Sequence, residues 1–530
     1  IPMKTNNLYL WITVLLSVFL GFTLGSNQQI VFNATNFEIS SSQKLKQFIQ
    51  YIETNYVDDI DTDSLVNTMI SNVVEQLDPH SVYIPKEEMQ QIAENMQGAF
   101  VGIGVSFFME QDTVSVVRVL ENGPSKAVGI LPGDRILIAD RDTLFGKNKN
   151  SASIIRSLKG KPDTKVQLQV YRKATEEFLE FNLERGEVPI PSVYGYLLSE
   201  GVGYIQINRF AQKTGVEFRK TLANLKEQGA DQLVLDLRDN PGGYLHIAEE
   251  ISDAFLSKGE VMVITQSNQG ERKVTLATDG GLFEKGQVYV LVNGQSASAS
   301  EVVAGALQDN DRAWIVGRRS FGKGLVQQQM PLGAGDAIRL TTARYYTPTG
   351  RSIQRPYAEG KDSYYDEIGA RYESGEIQDS KSVPVNDSLQ FTTPGGRTVY
   401  GGGGITPDEY VPGTSDLELE WDNYILRSNL VNRFVFLELD KNRALYTYES
   451  VAALIQNPLP NKEELLSSFQ TFFKDQGVPV RMENELLIEN SIKAYLALQL
   501  FNQEAFLKII HEQDDFITKI KTLFDQTPLD

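Results

Sequence analysis

The 530-residue chain has no cysteine. This excludes a thiol nucleophile, thiolate-bound metal, disulfides and a lipid anchor on cysteine. Histidine is nearly as scarce: His80, His246 and His511 are scattered, without His-Glu-x-x-His or His-x-His spacing, so no zinc site is expected. For a Ser-His-Asp triad only His246 lies near a promising loop, and a helix-face histidine is the commoner reading. Basic charge is also short, with 50 Lys and Arg against 69 Asp and Glu and a net charge of −19. That balance disfavours nucleic acid or an anionic membrane surface as the main partner. If the chain is a hydrolase, a serine with a non-histidine base is the economical arrangement.

One apolar, uncharged run, Leu8 to Leu24, follows Lys4 and has nearly the length that spans a bilayer. No basic residue follows until Lys44, which favours a cytoplasmic N-terminus and an extracytoplasmic, periplasmic remainder. Without an Ala-x-Ala site, the run reads as an uncleaved inner-membrane anchor rather than a removed signal. Residues 1–26 are therefore expected to be a signal or membrane anchor. Residues 27–97 are expected to be helical, because Leu45, Phe48, Ile49, Ile52 and Tyr56, then Leu65, Met69, Val73 and Leu77, recur at helical intervals.

From 98 to 186 the pattern turns to strands. Val101-Gly-Ile-Gly-Val105 opens the segment, and Gly129-Ile-Leu-Pro-Gly-Asp-Arg-Ile136 follows at a distance that makes it resemble a PDZ domain. That resemblance implies that the loop Gly102, Ile103, Gly104 and Val105 receives a peptide's terminal carboxylate while the peptide adds a strand to the sheet edge.

Between 187 and 413 the apolar runs Val202–Ile207, Gln232–Leu237, Val261–Thr265 and Val288–Val292 alternate with helical patterns, arguing for a largely parallel α/β sheet. Tyr357 to Gly404 reads as a flexible polar excursion; its final glycine run lacks the Gly-Lys-Ser/Thr of a phosphate cradle. Residues 414–530 return to helix, over Leu417–Glu438, Lys462–Lys474, Glu483–Gln503 and Ala505–Phe524. They read as a packing, dimerisation or cap domain.

Chemistry concentrates between Leu291 and Gln327. A buried strand leads through a small-residue turn into a helix that opens on serines, where free N–H groups and the helix dipole favour developing negative charge. Ser296, Ser298 and Ser300 compete as nucleophile. Lys323 sits in Phe-Gly-Lys-Gly, flanked by glycines that allow close approach. A free lysine holds its proton to about 10.4 and is useless as a base at neutrality, so a dry pocket is required to lower that value. If Gly324 to Met330 is a strand, Gln327 shares the side of Lys323 and offers a neutral acceptor; Gln328 and Gln329 are alternatives by composition.

Ser296-Ala-Ser-Ala-Ser-Glu301, Ala304-Gly-Ala-Leu-Gln-Asp309 and Phe321-Gly-Lys-Gly324 closely resemble the carboxyl-terminal processing, or tail-specific, proteases (bacterial S41 peptidases with a PDZ domain). So do Leu77-Asp-Pro-His-Ser81, Asp236-Leu-Arg-Asp-Asn-Pro-Gly-Gly243, Leu340-Thr-Thr-Ala-Arg-Tyr-Tyr346, Gly350-Arg-Ser-Ile-Gln354 and Gly404-Ile-Thr-Pro-Asp408, in the family's order. The resemblance implies an α+β multidomain chain with a crotonase-like α/β Ser-Lys protease core, a PDZ domain and flanking helical segments. It selects Ser298 as nucleophile, Lys323 as base and Gln327 as the residue orienting that base. It also implies an oxyanion site from the Gly243 and Ala299 N–H groups, with Asp309 and Arg238 as supporting residues.

The expected activity is a metal- and cofactor-free serine endopeptidase acting on protein substrates with unstructured C-terminal tails. An adaptor or regulatory protein and a homodimer are further expected partners. The rival readings are a catalytically silent PDZ scaffold and an acyl-CoA enzyme on a related fold.

Overall fold

The computed structural model describes residues 12–18, 40–414, 417–478 and 480–526, in two compact units, Ile1–Met69 and Ile70–Asp530. The expected anchor, apart from residues 12–18, lies outside the described residues. No described helix is long and apolar enough to cross a membrane. In the first unit, helix Ser41–Asn55 starts at a capping box formed by Ser40 and Gln43, and none of its residues is buried.

In the second unit the N-terminal segment is not wholly helical. Strand Val82–Ile84, bracketed by Pro79 and Pro85, pairs antiparallel with Ala337–Tyr346 before helix Lys86–Gln97 begins. Three β-favouring residues between helix-stopping prolines find a sheet edge there, a tertiary preference that helical periodicity does not register. The PDZ segment forms an antiparallel sheet in the order Val105–Glu110, Thr113–Val119, Asp134–Ala139, Lys165–Arg172, Glu177–Glu184. Helix Ser151–Leu158 buries Ile154 and Leu158 against it. Val105–Glu110 is an edge strand, and the glycine loop lies immediately before it.

The central sheet runs Val193–Ser199, Val202–Ile207, Gln232–Asp236, Val288–Val292, Trp314–Gly317, Glu409–Tyr410. It is parallel except for its first pair. Alternation along these strands sorts them onto two cores. Leu233, Leu235, Val288, Val290 and Val292 face helices Thr214–Glu227, Leu245–Asp253 and Ala299–Asp309. Tyr204, Val234, Tyr289, Leu291 and Val316 face the C-terminal helices, where Phe469, Ile488, Ile492, Leu496 and Ile517 meet them.

The run Val261–Thr265 departs from expectation. It belongs to strand Val261–Ser267 of a second, antiparallel sheet, between Ala337–Tyr346 and Arg272–Leu276. Burial-driven composition marks it as a strand, but partner and direction are set by the long-range pairing.

The excursion Tyr357–Gly404 also differs from the flexible loop expected. It carries helix Lys361–Glu373 with Tyr364 and Arg371 buried, and a hairpin of Gln390–Thr392 and Thr398–Tyr400. Ion pairs of Arg319 and Arg355 with Glu367, and the hydrogen bonds of Arg371 to the Arg319 and Ser320 carbonyls, hold the helix down, so its polar surface is spent internally.

The C-terminal region has shorter helices than the pattern suggests. Leu417–Glu438 divides into Leu417–Leu426 and Asn429–Asn442, the latter capped by Ser428. The last stretch breaks at His511–Gln513 into Gln503–Ile510 and Asp515–Gln526. Helix Asn429–Asn442 also reaches the PDZ sheet. Phe436 meets Phe108, Arg433 pairs with Glu110 at 3.0 Å, and Asp440 pairs with Arg135 and Lys173 at 2.7 Å each.

Ending the chain after Gly413 would bare one entire face of the central sheet, including Tyr204 and Val234, both fully buried. Each fully buried side chain of that size contributes roughly 1.5–3 kcal/mol, so residues 70–413 are expected to lose cooperative melting by circular dichroism. A cooperative transition in that fragment would contradict the shared core.

Candidate active site

Strand Val288–Val292 delivers the chain to a turn, and Ser298 then caps helix Ala299–Asp309 with φ 56° and ψ −113°. A left-handed backbone at a non-glycine residue costs on the order of 1–3 kcal/mol and persists only where its neighbours over-determine it. Here they do. The Ala297 N–H donates to the Asn240 carbonyl at 3.0 Å, and the Ser298 N–H to Glu301 Oε2 at 2.9 Å.

The neighbouring serines are committed elsewhere. Ser296 Oγ donates to the Leu237 carbonyl at 2.8 Å and accepts from the Asn293 N–H at 2.9 Å. Ser300 Oγ donates to the Asn240 carbonyl at 2.9 Å. Both are fully buried, whereas Ser298 is half-buried and its hydroxyl donates to no described residue.

Loop Asp239–Gly243 lies directly against this turn. A Cβ on Gly242 would stand 2.8 Å from Ser298 Cβ, and one on Gly243 would run into the Phe210 backbone; their φ values are 104° and 148°. Only glycine fits at either position. The Gly242 N–H is used by Asn240 Oδ1 at 2.9 Å. Among the described residues no hydrogen bond engages the N–H of Gly243 or of Ala299. Two unengaged backbone donors are thus present, one directly after Ser298 and one in the loop packed against it.

Lys323 lies just before strand Leu325–Pro331, and its Nζ donates to Gln327 Oε1 at 2.7 Å. The strand starts only at Leu325, and its pairing with Ala337–Tyr346 skips Thr342 between Val326 and Gln327. Gln327 is half-buried beside the amine, while Gln328 and Gln329 are exposed. The Gln327 amide N–H donates to the His80 carbonyl, so its oxygen is the atom left for Lys323.

Burial pushes the Lys323 amine down from 10.5 to about 8, helped by the Arg339 cation and opposed by Glu301 and Asp78. His80 is driven to about 3, first by burial and then by Lys323, and stays neutral; its ring Nε2 meets the Tyr364 hydroxyl at 2.9 Å.

One carboxylate joins the two halves of the site. Glu301, fully buried, accepts from the Ser298 N–H and Lys323 N–H on one oxygen, at 2.9 Å each. Its other oxygen accepts from the Ser320 hydroxyl at 2.5 Å and the Gly322 N–H at 2.6 Å. The buried Tyr345 hydroxyl adds a second clamp, contacting the Lys323 carbonyl at 2.8 Å and the Ser298 carbonyl at 3.2 Å. Glu301 was legible as the fourth member of a Ser-x-x-Glu capping box. Tyr345 and His80 stand inside recognised motifs, but nothing in the sequence assigns them these contacts.

The supporting residues lie further off. Asp309 ends the helix opposite Ser298, where it pairs with fully buried Arg351 at 2.7 Å and receives the Thr349 hydroxyl. Arg238 pairs with Asp236 just before the glycine loop. In the PDZ segment Gly104 takes φ 79°, and the Ile103 and Gly104 carbonyls are used by Ser125 and Leu120 N–H groups. His246 is exposed, with its ring tilted against that of Tyr244 at a centroid distance of 5.2 Å.

Residues 201–360 match Peptidase family S41, residues 101–183 a PDZ domain, and residues 421–502 a family of unknown function, DUF8443. With the sheet, the capping serine and the buried lysine in view, these matches define an S41 serine peptidase carrying a PDZ domain. The chain is 36% identical over 327 residues to the carboxy-terminal-processing protease of Bartonella bacilliformis, covering 60% of this chain and 75% of that one. It is 33% identical over 318 residues to carboxy-terminal processing protease CtpB of Bacillus subtilis, covering 59% and 65% respectively. The chain belongs to the carboxy-terminal processing proteases. The solved photosystem II D1 C-terminal processing protease aligns with 72% of this chain and 89% of its own at 24% identity, with a TM-score of 0.37.

Glu301→Gln replaces two acceptor oxygens by one and turns an N–H₂ toward donors, an expected loss of about 3 kcal/mol read as a lower melting temperature. Because Glu301 raises the Lys323 value, the same substitution lowers it, visible by NMR titration of the amine. Lys323→Met has a pH-dependent sign. The folded-state value of about 8 lies below 10.5, so the cation costs stability in full below pH 8 and the cost fades as pH rises toward 10.5. The melting temperature is therefore expected to gain more at pH 6 than at pH 10.

Proposed function

We propose that this chain is an extracytoplasmic serine endopeptidase that engages the C-terminal tail of a protein substrate at its PDZ segment and cleaves at Ser298. The observation that carries the reading is the Lys323–Gln327 hydrogen bond at 2.7 Å, in surroundings that lower the amine to about 8. A lysine held by a neutral amide keeps its direction without gaining a proton-stabilising charge. The unpaired edge of Val105–Glu110 supports strand addition by an extended peptide next to the glycine loop. The apolar Leu8–Leu24 run supports a location outside the cytoplasm.

In the mechanism, neutral Lys323 Nζ takes the Ser298 Oγ proton as Oγ bonds to the scissile carbonyl carbon. The oxyanion lies between the Gly243 and Ala299 N–H groups. As the C–N bond breaks, Lys323 returns the proton to the leaving amine. Lys323 then takes a proton from water, whose oxygen attacks the acyl-Ser298 ester; the carboxylate product leaves and Oγ recovers its proton. Gln327 remains an acceptor throughout, oriented by the His80 carbonyl.

Ser298→Ala and Lys323→Ala are expected to lower kcat on a partly unfolded protein substrate by a factor of at least about 10³. Retained proteolysis in either variant would remove these roles, and a serine-reactive probe that fails to label wild type would favour a silent scaffold. Because the base is the neutral amine, wild-type kcat/KM is expected to rise with pH through about 8; a flat profile from pH 6 to 9 would exclude Lys323 as base.

A further inference from the structure

The glycine loop that abuts Ser298 follows directly on Arg238, whose side chain is 9% exposed. Its Nε and Nη2 face Asp236, at 3.0 and 2.9 Å from Nε and 2.6 Å from Nη2. Asp236 is itself fixed by its strand and by the Tyr204 hydroxyl at 2.6 Å. That leaves the Nη1 edge without an acceptor from the catalytic core.

The acceptor comes from the far end of the chain. Nη1 donates to both oxygens of Asp514, at 3.0 and 2.9 Å, while the ring of Phe516 lies beneath the guanidinium at 4.6 Å. Asp514 lies in none of the segments matched to known families, which end at residue 502. It is 2% exposed. Burial alone would raise its carboxyl; the Arg238 cation, with Arg427 and His511, brings it down to about 2, so it is anionic at any working pH.

We propose that Asp514 is a positioning residue for the peptidase site, supplied by the C-terminal helical domain. The Asp236–Arg238–Asp514 clamp holds the start of loop Asp239–Gly243, and thereby aims the Gly243 N–H at the developing oxyanion. A buried guanidinium with one edge unpaired turns to find an acceptor, since leaving it unpaired is costly. Its Cα is the first pivot of the loop. Five residues later a displacement well under an ångström is enough to misalign an oxyanion donor. The inference rests on the Ser298 reading, with Gly243 as the donor.

Asp514 also caps helix Asp515–Gln526 by accepting the Phe516 N–H at 2.9 Å. Asp514→Asn retains the cap and the shape but loses the anion, so it separates the two roles; Asp514→Ser is a second variant that caps without reaching Arg238. In the full-length chain, each is expected to lower kcat on a peptide substrate at least tenfold with KM within twofold of wild type. Affinity for a peptidyl boronate, which places a negative oxygen at the oxyanion position, should fall by a similar factor. The rise of kcat/KM near pH 8 should not move. Hydrogen exchange of the 239–244 amides should accelerate.

A kcat within twofold of wild type, a boronate affinity that holds while kcat falls, or unchanged exchange in that loop would each overturn the proposal. If wild type neither cleaves nor binds the boronate, the Ser298 reading fails instead, and the exchange of the 239–244 amides alone decides whether Asp514 holds the loop.

Discussion

The buried carboxylate of Glu301 is the point through which both halves of the site are held. It receives backbone N–H groups from Ser298 on one side and from Gly322 and Lys323 on the other, with the Ser320 hydroxyl completing the set. Burial raises this carboxyl above its ordinary range, and the four donors oppose that rise. The Ser298 turn and the Lys323 loop lie about two dozen residues apart and on different secondary elements. A single side chain makes them one rigid body, and the strained turn at Ser298 becomes affordable because that body cannot relax. The same negative charge tends to keep Lys323 protonated. The lysine is lowered to about 8 only because burial and Arg339 outweigh it.

The central sheet explains why the domains cannot be treated separately. One face carries the helices that present Ser298 and the glycine loop, and the other is closed by the C-terminal helices. Neighbouring residues of one strand therefore point into different cores, and the strands that feed the site are packed on both faces. Helix Asn429–Asn442 extends this coupling to the PDZ sheet through Phe436 and Asp440. The PDZ segment and the peptidase core are thus braced by the same helical region.

Much of this was legible beforehand, for identifiable reasons. The parallel strands Val202–Ile207 and Val288–Val292 are continuous β-rich runs, and their lengths and bounding turns survive in the structure. Lys323 and Gln327 were expected on one side through strand alternation. They meet at 2.7 Å, although the strand itself begins only at Leu325. The three competing serines could not be separated by spacing alone. Their burial and their hydrogen bonds to Leu237 and Asn240 separate them, and both acceptors belong to a loop some sixty residues away. Strand Val82–Ile84 and helix Lys361–Glu373 were missed because their stability comes from a distant sheet edge and from arginines outside the segment.

Local chemistry written in the chain determined the kinds of element and the reactive groups: glycines where only glycine fits, a Ser-x-x-Glu start to a helix, and a lysine without a neighbouring carboxylate in sequence. These depend on near neighbours, so periodicity and motif carry them. Tertiary structure alone decided which atoms meet. The descent of an ammonium to about 8, the joint hold of Glu301 on two loops, and the reach of Asp514 across 276 residues to Arg238 all depend on burial and long-range contact. Desolvation and ion pairing are properties of assembled surroundings, and one-dimensional spacing holds no record of them.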